Sequence, residues 1–159
     1  LDRITPEERS ALMSQVRGSH TGPEIAVRRL LHGLGLRFRL HRRDLPGRPD
    51  IVLPGRRAVV FVHGCFWHRH PNCKRATTPA SNRGYWLKKF RRNIERDAEA
   101  KLALRRLKWR VLVVWECELK NPAKLLGRIR RFFELEASSA ERIFKPQRRR
   151  TLNPSEAAG

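Results

Sequence analysis

The chain has 159 residues, and its 36 Lys and Arg against 15 Asp and Glu give a formal net charge of +21. That length suits one domain with a core of its own, and that charge calls for a polyanion, nucleic acid first. A solvated basic surface or an anionic membrane surface would be the rival uses of the charge. However, the chain has no run of about 18 apolar residues to span a bilayer.

The opening residues, Leu1-Asp-Arg-Ile-Thr-Pro-Glu-Glu8, are polar and helix-capping rather than signal-like, so a cytoplasmic protein is expected. Thr5-Pro-Glu-Glu8 is a capping box with proline at the first helical position and predicts a helix over about 6–17. Met13 falls on the surface or interface side of that helix. Thr21-Gly-Pro-Glu24 repeats the cap signal. Behind it, Val27, Leu30, Leu31 and Leu34 follow a helical stripe that Gly35 ends. Glu24 then lies in the first turn, where a carboxylate complements the helix dipole.

Leu36-Arg-Phe-Arg-Leu40 alternates like a half-buried strand. The Pro46-Gly47 turn, a strand over 50–53 that opens with Asp50, the Pro54-Gly55 turn and a strand over 57–62 follow as a meander. At His63 the second of these strands gives way to three histidines, two cysteines and the pair Phe66-Trp67 within eleven residues. Both strands should carry Asp50 and the 63–73 cluster to one edge of a sheet. Residues 74–84 read as a loop. A helix is predicted over about 85–107, its stripe running through Trp86, Phe90, Ile94, Ala98, Leu102 and Leu107 with Asp97 among basic residues. Trp109 to Trp115 reads as a central strand covered on both sides, parallel to strand 57–62 through the helical crossover. Cys117 comes just past its end. A last amphipathic helix over about 121–136 turns Leu125, Leu126, Ile129, Phe132 and Phe133 inward. Residues 1–137 form the single domain, and 138–159 read as a basic, disordered tail.

Three constellations carry chemistry. Cys65, His70, Cys73 and Cys117 offer three thiolates and one imidazole, a composition suited to closed tetrahedral structural zinc. The rival is three buried reduced thiols, which would leave His70 unexplained. Asp50 with His63 and His68 can form a metal-dependent phosphodiesterase centre, with Mg2+ on the carboxylate and a neutral histidine taking the proton of an attacking water. The bland alternative is a turn-capping Asp50 with spare zinc-binding histidines. Phe66, Trp67 and Trp86 either stack on bases or pack a core.

Leu45-Pro-Gly-Arg-Pro-Asp50, Phe61-Val-His-Gly-Cys-Phe-Trp-His68, Trp86-Leu with Asn93-Ile-Glu-Arg-Asp97, and Trp109-Arg-Val-Leu-Val-Val-Trp-Glu-Cys117 closely resemble the very-short-patch (Vsr) mismatch repair endonucleases. The resemblance runs in order and spacing from about Thr5 to Leu135. It implies a restriction-endonuclease-like α/β fold, a central mixed sheet flanked by helices with a structural zinc. The activity it implies is Mg2+-dependent nicking of duplex DNA on the 5′ side of the thymine in a T·G mismatch left by deamination of 5-methylcytosine. A monomer acting on nucleoid DNA is expected, with contacts to other repair proteins left open.

Carried over by motif, Asp50 and the Val62 backbone carbonyl would bind Mg2+, and His68 would be the general base with His63 assisting. Glu24 and Asp97 would orient the histidines or the waters around the metal. Phe66, Trp67 and Trp86 would wedge into the DNA from the major groove, and Met13 would meet the minor-groove side. Two departures stand out. Ordinary nucleases of this fold place an acid and a lysine on the second strand, whereas Val60-Phe61-Val62-His63 offers neither, a departure the Vsr family shares. Pro71-Asn72 also separates His70 from Cys73 by one residue more than the family form, which leaves His68 as the alternative zinc ligand.

Overall fold

The structure, a computed structural model, describes residues 20–135. The helix expected over 6–17, Met13 with it, and the tail from 138 lie outside the described residues.

Helix α1 (Gly22–Gly33) begins where the sequence places it. Thr21 caps it, its Oγ1 accepting from the Glu24 amide at 3.4 Å, and Gly35 leaves it at φ +71°. Of the expected strand over 36–40 only Arg39–Leu40 enters the sheet, as β1, while Leu36 and Phe38 pack against the core. Strand β2 (Ile51–Leu53) pairs antiparallel with β1 and with β3 (Ala58–His63), in the register Arg39↔Val52 and Ile51↔Val60. A short helix α2 (Cys65–His68) follows, then the long helix α3 (Arg83–Arg106). Strand β4 (Arg110–Trp115) returns parallel to β3, from Ala58↔Arg110 to His63↔Trp115. A 3-10 turn (Glu116–Lys120) and helix α4 (Pro122–Phe133) complete the described chain.

The result is a mixed sheet, ordered β1-β2-β3-β4, between two helical layers. Alternation along β3 builds both cores. Ala58 and Val60 join Val27 and Leu31 of α1 and Leu125, Ile129 and Phe133 of α4 on one face. On the other face Val59 and Phe61 join Leu45, Val52 and Leu104 beneath α3.

Two expectations are corrected. Strand β4 is not central but forms the edge of the described sheet, and β2 and β3 are the strands with neighbours on both sides. The apolar run had reported two covered faces, which β4 does have, with Leu112 and Val114 toward α4 and Val111 and Val113 toward α3. Its outer edge is closed by side chains instead. Arg128 Nη2 donates to the Val113 carbonyl at 2.8 Å, and the Arg110 guanidinium bonds the Phe132 carbonyl.

The inward face of α3 also differs. Trp86, Phe90 and Leu104 are buried, but Ile94, Leu102 and Leu107 are exposed. Between Phe90 and Leu104 the half-buried positions are Asn93, Asp97, Ala100, Lys101 and Ala103. A search for apolar periodicity drifts off the true face because that face turns polar where the helix passes the functional cleft.

Candidate active site

One end of the sheet gathers the chemistry. β2 starts there, β3 and β4 end there, and the first turn of α1 and the middle of α3 face it. The cleft between them encloses about 550 Å³ and is lined by Glu24, Asp50, His63, Trp67, His68 and Asp97 among others. The loop into β2 reaches it by a close approach. Gly47 adopts φ +72°, and a Cβ there would lie 2.5 Å from that of Ala100 on α3. Only glycine lets the chain pass this low over the helix and still deliver Asp50 to the cleft.

Asp50 stands just past the β2–β3 ladder, where Val62 N–H donates to its Oδ2 at 2.7 Å. Oδ1 makes no hydrogen bond within the described residues. Burial, reinforced by the nearby charge of Glu24, pushes the carboxyl up to about 6, against the pull of the Val62 amide and of Arg28. A divalent cation on the free oxygen would return this group to its charged form. A carboxylate oxygen suits a hard ion such as Mg2+.

His63 and His68 stack face to face, ring centroids 3.9 Å apart and planes within 11°. His63 lies beneath, 5% exposed, and burial pushes it down to about 3, toward its neutral form. His68 lies on the cleft side. Its Nδ1 sits 2.6 Å from Asp97 Oδ2, which is also 4.0 Å from His63 Nδ1. An ionised carboxylate only accepts, so His68 Nδ1 carries the proton and Nε2 is left as the basic nitrogen.

Glu24, 3% exposed, lines the same cleft, but its hydrogen bonds run elsewhere. Oε1 accepts from Thr21 Oγ1 at 3.1 Å, and Oε2 accepts from the His20 amide at 3.0 Å and from Arg28 Nη2 at 2.8 Å. Asp97, not Glu24, is the carboxylate in contact with the histidines.

The four sulfur and imidazole donors converge as expected. The ligand atoms of Cys65, His70, Cys73 and Cys117 all lie within 4.8 Å of one another, with Cys117 Sγ 3.4 Å from His70 Nε2. Burial pushes the Cys65 thiol up to about 12, so a thiolate at that position requires a cation beside it. His70 rather than His68 completes this set, because His68 is engaged with Asp97. The extra residue before Cys73 is taken up in a turn with Asn72 at φ +59°.

Phe66, Trp67 and Trp86 form one aromatic cluster with Phe90, the Phe66 ring standing edge-on to Trp67, Trp86 and Phe90 at 5.0, 5.6 and 5.3 Å. Trp86 is 3% exposed and forms the floor, while Phe66 and Trp67 are only half-buried. Lys89 Nζ stands over Trp67, Tyr85 and Trp86 at 5.2–5.7 Å.

Sequence reasoning passed over the residues that hold this site in place. Asn93 Nδ2 donates to the Trp67 carbonyl at 3.1 Å, locking α2 onto α3. Arg69 lies 4.4 Å over the Phe90 ring and donates to the Ala76 and Thr77 carbonyls, pinning the loop that carries Cys73. Arg28 carries only a generic signal in the sequence, its i+4 spacing from Glu24. Nothing in the sequence marked His20 or His41 as its other neighbours.

Comparison with known proteins agrees with this geometry. The sequence model of the family described as DNA mismatch endonuclease Vsr matches residues 1–75. The chain is 53% identical over 133 residues to the Type II nicking enzyme V.XorIIP of Xanthomonas oryzae pv. oryzae, covering 84% of this chain and 97% of that protein. It is 44% identical over 117 residues to the DNA mismatch endonuclease Vsr of Escherichia coli, covering 74% of each. Among solved structures, the catalytic domain of the homing endonuclease I-Bth0305I superposes with a TM-score of 0.52 at 20% identity, over 72% of this chain and 95% of that one. That likeness is one of fold: a mixed sheet flanked by helices.

Proposed function

The chain belongs to the Vsr family of DNA mismatch endonucleases, and from that premise we propose that it nicks duplex DNA on the 5′ side of the thymine in a T·G mismatch. Such mismatches arise when 5-methylcytosine deaminates. The observation that carries this reading is the pairing of His68 with Asp97 in a cleft that also holds Asp50, directly beside the half-buried aromatics Phe66 and Trp67.

In this reading Asp50 and the Val62 carbonyl would hold Mg2+, which would supply charge neutralisation at the phosphoryl oxygens. Asp97 holds the His68 ring in the tautomer whose Nε2 can take a proton from the attacking water. It also stabilises the imidazolium that results. His63, which burial holds toward its neutral form, supports that ring from below. Cys65, His70, Cys73 and Cys117 hold a structural Zn2+ that ties the end of β3 to the turn after β4. Phe66 and Trp67 enter the helix beside the mismatch, where a wobble pair makes unstacking cheaper. The surplus of basic residues binds the phosphates of both strands.

The test is cleavage of end-labelled T·G and T·A duplexes in varied flanking sequence, with and without Mg2+. A single nick 5′ of the mismatched thymine, only with Mg2+, is expected. Equal cutting of both strands of the T·A duplex would instead make the protein a restriction-type nuclease. Binding without any cleavage would make it a zinc-dependent DNA-binding module.

A further inference from the structure

Three side chains that no motif pointed to close around Glu24. Arg28 lies one turn further along α1 with its side chain largely buried. Its Nη2 donates to Glu24 Oε2 at 2.8 Å and lies 3.2 Å from His41 Nε2, while Nη1 lies 3.0 Å from His20 Nδ1. A guanidinium offers only donors, so each imidazole must present an unprotonated nitrogen to it. The two rings come from different segments, His20 ahead of α1 and His41 just after β1, and they meet at 4.9 Å over Arg28. Both residues adopt a positive φ, 56° and 50°, a region disfavoured for side chains with a Cβ. The His41 amide also points at the Asp50 carbonyl, at 3.5 Å.

This brace is an expensive way to fill the position. Arg28 neighbours Val27 on a helix whose inner face is otherwise aliphatic. A buried ion pair there does no more for stability than well-packed apolar groups would. What it does achieve is specific. Glu24 is held with Thr21 on one oxygen and with the His20 amide and Arg28 on the other. That fixes a negative charge beside Asp50 and balances it with a positive one.

We propose that Arg28 is a positioning residue for the nicking reaction, acting through Glu24 to set that carboxylate's place and charge beside Asp50, with His20 and His41 orienting the guanidinium. This rests on reading Asp50 and Glu24 as parts of the nuclease centre. Groups that orient a metal site from outside its ligand set typically change activity by about 10–100-fold when removed.

The experiment measures single-turnover nicking of a T·G duplex, DNA affinity in Mg2+-free buffer and zinc content for Arg28→Met, Arg28→Lys, Glu24→Gln and both Arg28 changes in the Glu24→Gln background. Arg28→Met should slow nicking about 10–100-fold with DNA affinity and zinc unchanged. Arg28→Lys should recover part of the loss, since an ammonium can meet Glu24 but not both imidazoles. In the Glu24→Gln background neither change should cost much more, because residues acting as one unit are not additive. A wild-type rate for Arg28→Met, or losses that simply multiply, would overturn the proposal. So would a fall in zinc content or DNA affinity in step with the rate. If Arg28→Met does not fold, Arg28→Lys carries the same cycle with the same two outcomes. Asp50→Ala separates the levels. If it still nicks, the centre itself is misassigned, whereas an inactive Asp50→Ala beside an unaffected Arg28→Met sinks the brace alone.

Discussion

His68 Nδ1 lies 2.6 Å from Asp97 Oδ2, and this single contact decides which imidazole nitrogen is free to act. His68→Ala should slow nicking of a T·G duplex by about 10²–10⁴-fold, the range for losing a general base. Asp97→Asn should also slow it, because an amide can donate to Nδ1 and so favour the tautomer with the proton on Nε2. Single-turnover rates at saturating enzyme give the answer. A wild-type rate for Asp97→Asn would mean that the contact only packs the ring.

Asp50 and His63 respond to acid in opposite senses. The folded pKa of Asp50 is raised to about 6 from an ordinary 3.8. Between those values the folded state therefore binds the extra proton, and unfolding becomes easier as pH rises. For His63, lowered to about 3 from 6.5, the unfolded state binds the extra proton, so stability is lost as pH falls from 6.5 toward 3. From about pH 4 to 6 the two contributions largely cancel. Asp50→Asn removes one of them. In Mg2+-free buffer this inactive variant should be more stable than wild type at pH 7, by up to about 3 kcal/mol at 1.36 kcal/mol per pKa unit. The advantage should vanish by pH 4. Urea unfolding at several pH values would show it, and a pH-independent difference would contradict the burial argument.

Cys73→Ala or Cys117→Ala should lose the bound ion and much of the fold together, since structural zinc contributes folding free energy directly. Elemental analysis of purified wild type should find one zinc per chain. Folded, active protein without zinc would refute the assignment.

The aromatic cluster should split by depth. Trp86→Ala empties the floor and should destabilise the protein by about 3–5 kcal/mol, with activity failing through the fold. Trp67→Ala should leave stability closer to wild type and instead shrink the preference for T·G over T·A, by the loss of stacking worth about 1–3 kcal/mol. Thermal melts and affinities on both duplexes distinguish the two. An unchanged T·G to T·A ratio in Trp67→Ala would place recognition elsewhere.

Most of the scaffold was legible because its signals are local. The Thr21 cap, the glycine stops, the two short turns and the alternation along β3 each declare themselves within a few residues. The cluster of Cys65, His70, Cys73 and Cys117 was legible because thiols beside histidines have few other uses. What stayed hidden depends on neighbours distant in sequence. The apolar stripe of α3 could not show that its inner face turns polar at Asn93 and Asp97, and the run before Trp115 could not report how many strands flank it. Arg28 looked like one more arginine in a chain with many. Only the fold shows it turned inward to Glu24, between two histidines from separate loops.

The distribution of the sulfur donors bears on the order in which the chain folds. Cys65, His70 and Cys73 are close in sequence and can load an ion as soon as their short loop forms. Cys117 arrives only after α3 has carried the chain back across the sheet. A parallel pair such as β3–β4 assembles slowly, because a long loop must close before any contact rewards it. Were an ion held by those three, Cys117 would complete its donor set and draw the end of β4 to the end of β3, where His63 and Trp115 sit opposite each other. A metal there would act as a latch on assembly, so refolding with zinc present from the start should outpace refolding with zinc added late.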